Sequence, residues 1–221
     1  STRPLIFMSS LAEAIDPSLL EGHDNLDDMV QSGIDRVLSM QGSDGGFHYL
    51  PSVYDPHPWS TAFAVSMLLD ARKAGYEVPQ SRLDRAFGWL KEAVRRSRYD
   101  SARPMMHYVL ARAGQGDPAT IRQELKRRRA DRDDFPGIDR EKLMLLKAAL
   151  YHAGDRTYAS DLKDLSNLME AGEEHPESGG IFYSGLRHLG MAISIKIDLF
   201  GRESVEESTI MTLAKQMRDE W

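Results

Sequence analysis

The chain has 221 residues, no cysteine and a formal net charge of −6 at pH 7. The absent thiols exclude disulfides, thiolate metal sites and cysteine nucleophiles within it. The mildly acidic balance gives no reason to expect a nucleic-acid partner, which needs a concentrated basic face. No apolar run approaches the roughly 18 residues of a membrane span, and no signal peptide is visible.

In chain order, the periodicity predicts helices of two kinds. Residues 5–14 are apolar on most sides and open the series. Val30, Ile34, Val37 and Leu38 form one stripe on an amphipathic helix that ends at Met40-Gln41. A glycine-centred turn follows, Ser43-Asp44-Gly45-Gly46-Phe47. Gly45 and Gly46 permit positive φ where the chain reverses, and Phe47 tucks against the hairpin it has just left. A proline-broken loop leads into 59–69, apolar almost all round and opened by Trp59-Ser60. Next comes an amphipathic helix with Leu83, Phe87, Leu90 and Val94 on one face and Arg82, Asp84, Arg85, Lys91 and Glu92 on the other.

The alternation continues with 104–113 (apolar), 118–130 (weakly apolar), 143–151 (apolar), 158–171 (amphipathic), 186–200 (apolar) and 205–217 (amphipathic). The run Lys126-Arg127-Arg128-Arg129, answered in sequence by Asp131, Asp133 and Asp134, reads as a solvated helix end. Glycines at 75, 114, 154 and 201 each close an apolar helix, at a spacing of about 40 to 47 residues that marks a repeated helical hairpin. A second copy of the turn, Ser178-Gly179-Gly180-Ile181-Phe182, precedes the last apolar helix.

A helix that is apolar on every side must be enclosed by neighbours. Strict alternation of enclosed and half-exposed helices therefore predicts two concentric layers, an all-α toroid of helical hairpins rather than an open solenoid. About five inner and five outer helices are countable, one hairpin short of a six-by-six toroid. Only short stretches such as 47–53 carry any strand pattern.

Two segments, Met40-Gln41-Gly42-Ser43-Asp44-Gly45-Gly46-Phe47 and Trp59-Ser60-Thr61-Ala62-Phe63, resemble the thioester domain of the α2-macroglobulin and complement family, especially its bacterial members. In that domain a Gln-x-x-(Asp/Ser)-Gly-Gly-Phe turn precedes an inner helix opening near Trp-x-Thr-Ala. The resemblance implies an α6/α6 toroid, with 1–221 as one domain of a larger multidomain protein. It implies no catalytic turnover and no cofactor. The role would be protease trapping in a periplasmic envelope-defence protein, anchored in the inner membrane, if at all, through a part outside this chain. The partners would be target proteases and neighbouring domains of the same protein. On this reading Gln41, Asp44, Gly45, Gly46, Phe47, Trp59, Gly179, Gly180 and Phe182 are motif residues of the architecture.

In the family, a cysteine and a glutamine form an internal thioester, carried by a Cys-x-Glu-Gln motif just before the first inner helix. The opening Ser1-Thr2-Arg3-Pro4-Leu5 matches the position directly after that motif. Either the motif lies upstream of Ser1 or the chain comes from a member that lacks it. The second is favoured, since a segment meant to hold the bond would keep its cysteine. No thioester can form within this chain. Some relatives use a histidine before the third inner helix to direct transfer to hydroxyls. The matching stretch, Arg98-Tyr99-Asp100-Ser101-Ala102-Arg103, has none, and His107 falls inside the helix.

Other chemistries are weaker. Asp131-Arg132-Asp133-Asp134 matches the acid motif of class II terpene cyclases, which share the toroid, but Pro136-Gly137 places it in a loop and arginines keep the acids ionised. The histidines lack metal-ligand spacing. Tyr49, Tyr54 and His57, with Trp59, form a candidate interface cluster at one loop. A non-covalent helical-repeat scaffold that binds a protein partner is the leading alternative.

Overall fold

Three of the four periodic glycines end their helices by one device. In the computed structural model, Gly75, Gly114 and Gly154 have φ of 97°, 70° and 92°. Their amides bond to Arg72, Ala111 and Tyr151 carbonyls, while the next residues, Tyr76, Gln115 and Asp155, reach back to Ala71, Leu110 and Leu150. This paired pattern satisfies the last carbonyls of a helix and requires the left-handed conformation that glycine adopts without strain. The structure describes residues 6, 26–48, 55–96, 101–130, 136–164 and 185–219. Among them the regular structure is helical, and the single β-type contact is the bridge between Gln41 and Phe47.

The chain divides into two compact units, Ser1–Asp100 and Ser101–Trp221. The first contains α1 (Leu26–Ser39), α2 (Pro58–Lys73) and α3 (Gln80–Val94). The amphipathic α1 buries Val30, Ile34 and Leu38, one residue per turn of a single stripe. α3 buries Leu83, Ala86, Phe87, Leu90 and Ala93. Between them α2 packs on both and hides residues on every side, including Trp59, Ala62, Val65, Met67 and Leu68. The exit from α2 is clamped to α1. Gln31 exchanges two hydrogen bonds with the Glu77 backbone at 3.0 and 3.1 Å, and the Tyr76 hydroxyl donates to Asp27 at 2.8 Å.

The second unit contains α4 (Arg103–Arg112), α5 (Pro118–Ala130), α6 (Pro136–His152), α7 (Ala159–Lys163), α8 (Gly185–Phe200) and α9 (Glu207–Asp219). α4 is buried continuously from Pro104 to Ala111. α6 packs on α4 and on α8, α5 lies against α6, α7 against both α6 and α8, and α9 against α8. Within each unit the helices predicted to be apolar bury more of their residues than the amphipathic ones, which keep an exposed face. Two details differ. In the predicted 158–171 helix the described residues are helical over Ala159–Lys163 and break at Asp164, which is extended (φ −86°, ψ 107°), while 165–171 lie outside the described residues. The weakly apolar α5 fills its inner face with Glu124 and Arg128 beside Ile121 and Leu125.

Gly45 and Gly75 share the same left-handed backbone, with φ of 96° and 97°. A Cβ on Gly75 would meet nothing within 4 Å, but one on Gly45 would lie 2.3 Å from the Arg85 carbonyl oxygen. Gly75→Ala should cost only the backbone strain, about 1–2 kcal/mol. Gly45→Ala should cost more than about 3 kcal/mol, since the turn must also part from α3. Urea unfolding followed by fluorescence reports mainly on this unit, which holds two of the three tryptophans, Trp59 and Trp89. Equal losses for the two variants would contradict the close approach.

Candidate functional site

The turn between α1 and α2 is held by the side chain of Gln41. α1 stops at Ser39, and the Met40 and Gln41 amides close it on Val37 and Leu38 carbonyls. Within the turn, the Gly42 amide donates to Gly46 at 2.8 Å, the Gly45 amide to Gly42 at 3.1 Å, and the His48 amide to Met40 at 3.0 Å. Asp44 Oδ1 accepts from the Gly46 amide at 3.1 Å, the side-chain turn that short acidic residues favour. Buried Gln41 Nε2 donates to the Gly45 carbonyl at 3.0 Å and the Arg82 carbonyl at 2.9 Å. Its Oε1 accepts from Arg82 Nη1 at 3.4 Å and Arg85 Nη2 at 3.3 Å. The turn is thereby fixed to the first turns of α3. Gly46 is equally confined, since a Cβ there would meet Pro56 and the Trp89 ring nitrogen.

The same turn is tied to α2. The Phe47 amide donates to Thr61 Oγ1 at 3.0 Å, and Phe47, Trp59 and Thr61 are all buried. His57 caps α2, its Nδ1 facing the Ser60 amide at 3.4 Å, and Pro58 follows in the first helical position. Desolvation of the half-buried imidazole holds the His57 pKa below its ordinary value, so the neutral, accepting ring is favoured. Ser60 Oγ also lies 3.4 Å from His57 Nδ1, but that nitrogen already serves the cap. The structure thus brings Gln41, Asp44, Gly45, Gly46, Phe47, His57 and Trp59 to one turn and helix start. Tyr49, Tyr54, Gly179, Gly180, Phe182 and the acidic string 131–134 lie outside the described residues. Thr61, Arg82, Arg85 and Trp89 also belong to this assembly. Thr61 belongs to the Trp-x-Thr-Ala helix start, whereas the only sequence signal of Arg82, Arg85 and Trp89 is a place on a flanking helix.

In the second unit the functional-looking groups form buried ionic contacts. Glu124 accepts from Arg127 at 2.7 and 3.0 Å, from Arg128 at 3.1 Å and from Arg103 at 3.3 Å. Arg128 is 6% exposed, so the basic run is in part a core element and not a purely solvated helix end. Burial would raise the Glu124 pKa, but the hydrogen bonds from Arg127 and Arg128 and the charge of Arg103 bring it down to about 2. His107, buried on α4, is lowered to about 4 by desolvation, with Arg103 adding to the effect and Glu124 and Asp117 opposing it. A cleft of about 530 Å³ beside α6 and α7 is lined by Lys147 and Asp161, which pair at 2.8 Å. Among the described residues there is no cluster of three metal-ligating side chains and no helix long and apolar enough to cross a membrane.

No protein-family model and no curated protein sequence matches the chain. Solved structures do. Native alpha-2-macroglobulin from Escherichia coli, spanning domain MG7 to the C-terminus, matches with a TM-score of 0.69 at 23% identity, over 87% of this chain and 31% of that one. Salmonella alpha-2-macroglobulin reacted with methylamine matches with 0.69 at 22% identity, over 88% of this chain and 13% of that one. Trypsin-activated alpha-2-macroglobulin from Escherichia coli matches with 0.63 at 22% identity, over 86% and 13%. The chain therefore has the helical fold of one segment of bacterial alpha-2-macroglobulins, and spans a minor part of their length.

Glu124 and His107 set the acid stability of the second unit. Both pKa values are depressed in the fold, so each contributes stability above its unfolded value and loses it as pH falls through the folded one. For His107 the window runs from 6.5 down to about 4, and for Glu124 from 4.5 down to about 2. Circular dichroism melts should show a midpoint that falls steadily below pH 6.5. At neutral pH, Glu124→Ala should cost about 3–5 kcal/mol by removing the buried carboxylate that Arg103, Arg127 and Arg128 share. A melting midpoint independent of pH between 6.5 and 3 would refute this picture.

Proposed function

We propose that the chain is the thioester-like helical domain of a bacterial α2-macroglobulin and serves in a protease-trapping protein of the cell envelope. One observation carries the reading. The fold likeness to bacterial alpha-2-macroglobulins extends over 87% of the chain, and it coincides with a Gln41–Phe47 turn and a Trp59-Ser60-Thr61-Ala62 helix start of the kind that marks that domain. Closure of the hairpins into a toroid belongs to the same reading. The partners are target proteases and the neighbouring domains, and the compartment is the periplasm.

On this reading the domain does no turnover chemistry. Acyl transfer from a thioester needs a cysteine, and this chain contains none. Its own residues supply a rigid helical body: Gln41 locks the turn, and the enclosed helices keep it dry. Where a relative has been described as reacted with methylamine or activated by trypsin, the counterpart here acts by steric enclosure unless another part of the protein carries the thiol. The absence of cysteine also favours the second reading, a scaffold that docks a protein partner without any covalent step.

The test uses the longer protein that carries this chain, incubated with trypsin. A trap predicts that trypsin still hydrolyses a small peptide substrate but loses activity on casein and is shielded from a protein inhibitor. Shielding that survives methylamine pretreatment assigns the steric route. Unimpaired casein digestion and full access of the inhibitor would sink the trap and leave the scaffold reading.

A further inference from the structure

The C-terminal ends of α4, α6 and α8 gather rings and cations. The Tyr108 and His152 rings lie 5.8 Å apart, and Arg112 sits over Tyr108 at 5.7 Å. Asp198 lies 3.5 Å from Arg112 Nε and 3.4 Å from His152 Nε2. Beside this group Tyr151 and Phe200 meet edge to face at 5.1 Å. Arg156 lies over Tyr151 at 3.5 Å and Lys163 lies 5.3 Å from the Phe200 ring. One guanidinium, two half-buried rings and one ammonium thus stand in an unbroken row.

The two sides of this end differ in charge balance. The carboxylate of Asp198 is already engaged by Arg112 and His152. Arg156 and Lys163 are exposed, and among the described residues neither forms an ion pair. Arg156 also donates to the Tyr151 carbonyl, which caps α6, but Lys163 has no such duty. A cation resting on a ring is held in place with its charge unanswered, so little side-chain freedom is lost when a carboxylate arrives.

We propose that the row Arg156–Tyr151–Phe200–Lys163 is a docking face for an acidic segment of a protein partner. Charge complementarity selects the partner's sign. The mixture of aromatic rings with arginine is what the centres of protein interfaces favour. Nucleic acid and anionic membranes fit less well. Each requires a long rank of cations or an inserted apolar helix, and the chain as a whole carries a net charge of −6. The occupant is an acidic segment of a protein partner, and the proposal does not depend on protease trapping.

The test titrates the isotope-labelled 221-residue chain with a blocked glutamate–glycine peptide at low ionic strength and follows backbone amide shifts. Shifts should cluster in 151–163 and 198–201, and added salt should weaken binding. Arg156→Ala with Lys163→Ala should lower affinity about tenfold. Since Arg156 also caps α6, Lys163→Glu at an exposed site is the second variant. It leaves the cap intact and should still weaken binding severalfold. Three results would each overturn the proposal: no saturable shift, shifts centred on Arg122 and Lys126 of α5, or undiminished affinity of the Lys163→Glu chain. So would binding of phosphatidylglycerol vesicles in place of the peptide.

Discussion

The side-chain amide of Gln41 is the joint on which the first unit depends. It is buried, and it bonds at once to the turn it begins and to the helix two elements later. The Gly45 carbonyl points inward and needs a donor, because an unpaired buried carbonyl costs about 1–3 kcal/mol. Gln41 supplies it. With the turn pinned, Gly45 and Gly46 can approach α3 and Pro56 closely enough that no Cβ fits, and the Phe47 amide reaches Thr61 on α2. One carboxamide therefore sets how α1, α2 and α3 meet.

The second unit is organised differently. Its inner helices also bury leucine, methionine and alanine, but polar groups register them. Arg103 on α4 reaches Glu124 on α5, Arg187 on α8 forms a two-oxygen contact with Glu141 on α6 at 2.7 and 2.9 Å, and Asp198 on α8 meets Arg112 and His152 from α4 and α6. Buried pairs of this kind add little net stability over apolar residues, yet breaking one partner is expensive. They oppose any sliding of one helix against the next.

How much of this was legible follows from the range of each interaction. The alternation of enclosed and half-exposed helices, the glycine stops and the Asp44-Gly45-Gly46 turn arise from residues within one or two helical turns of each other, and periodicity displays them. Gln41 was marked as a motif residue, but its partners Arg82 and Arg85 lie on another helix, and no local pattern announces them. Arg128 misled for a related reason. A run of four cations reads as solvated, and only the i, i+4 spacing to Glu124 hints that one of them turns inward. The break at Asp164 is hidden in the sequence, because the apolar period runs straight through that position while the backbone there is extended.

The central claim is that Gln41 joins the turn to α3, and hydrogen exchange on Gln41→Leu tests it most directly. Leucine preserves the bulk and removes all four hydrogen bonds. The account predicts that the Gly42, Gly45 and Phe47 amides lose their protection and that the first unit is destabilised by about 3 kcal/mol, while amides of α4 to α8 exchange as before. Unchanged protection across 42–47 in the leucine variant would contradict it.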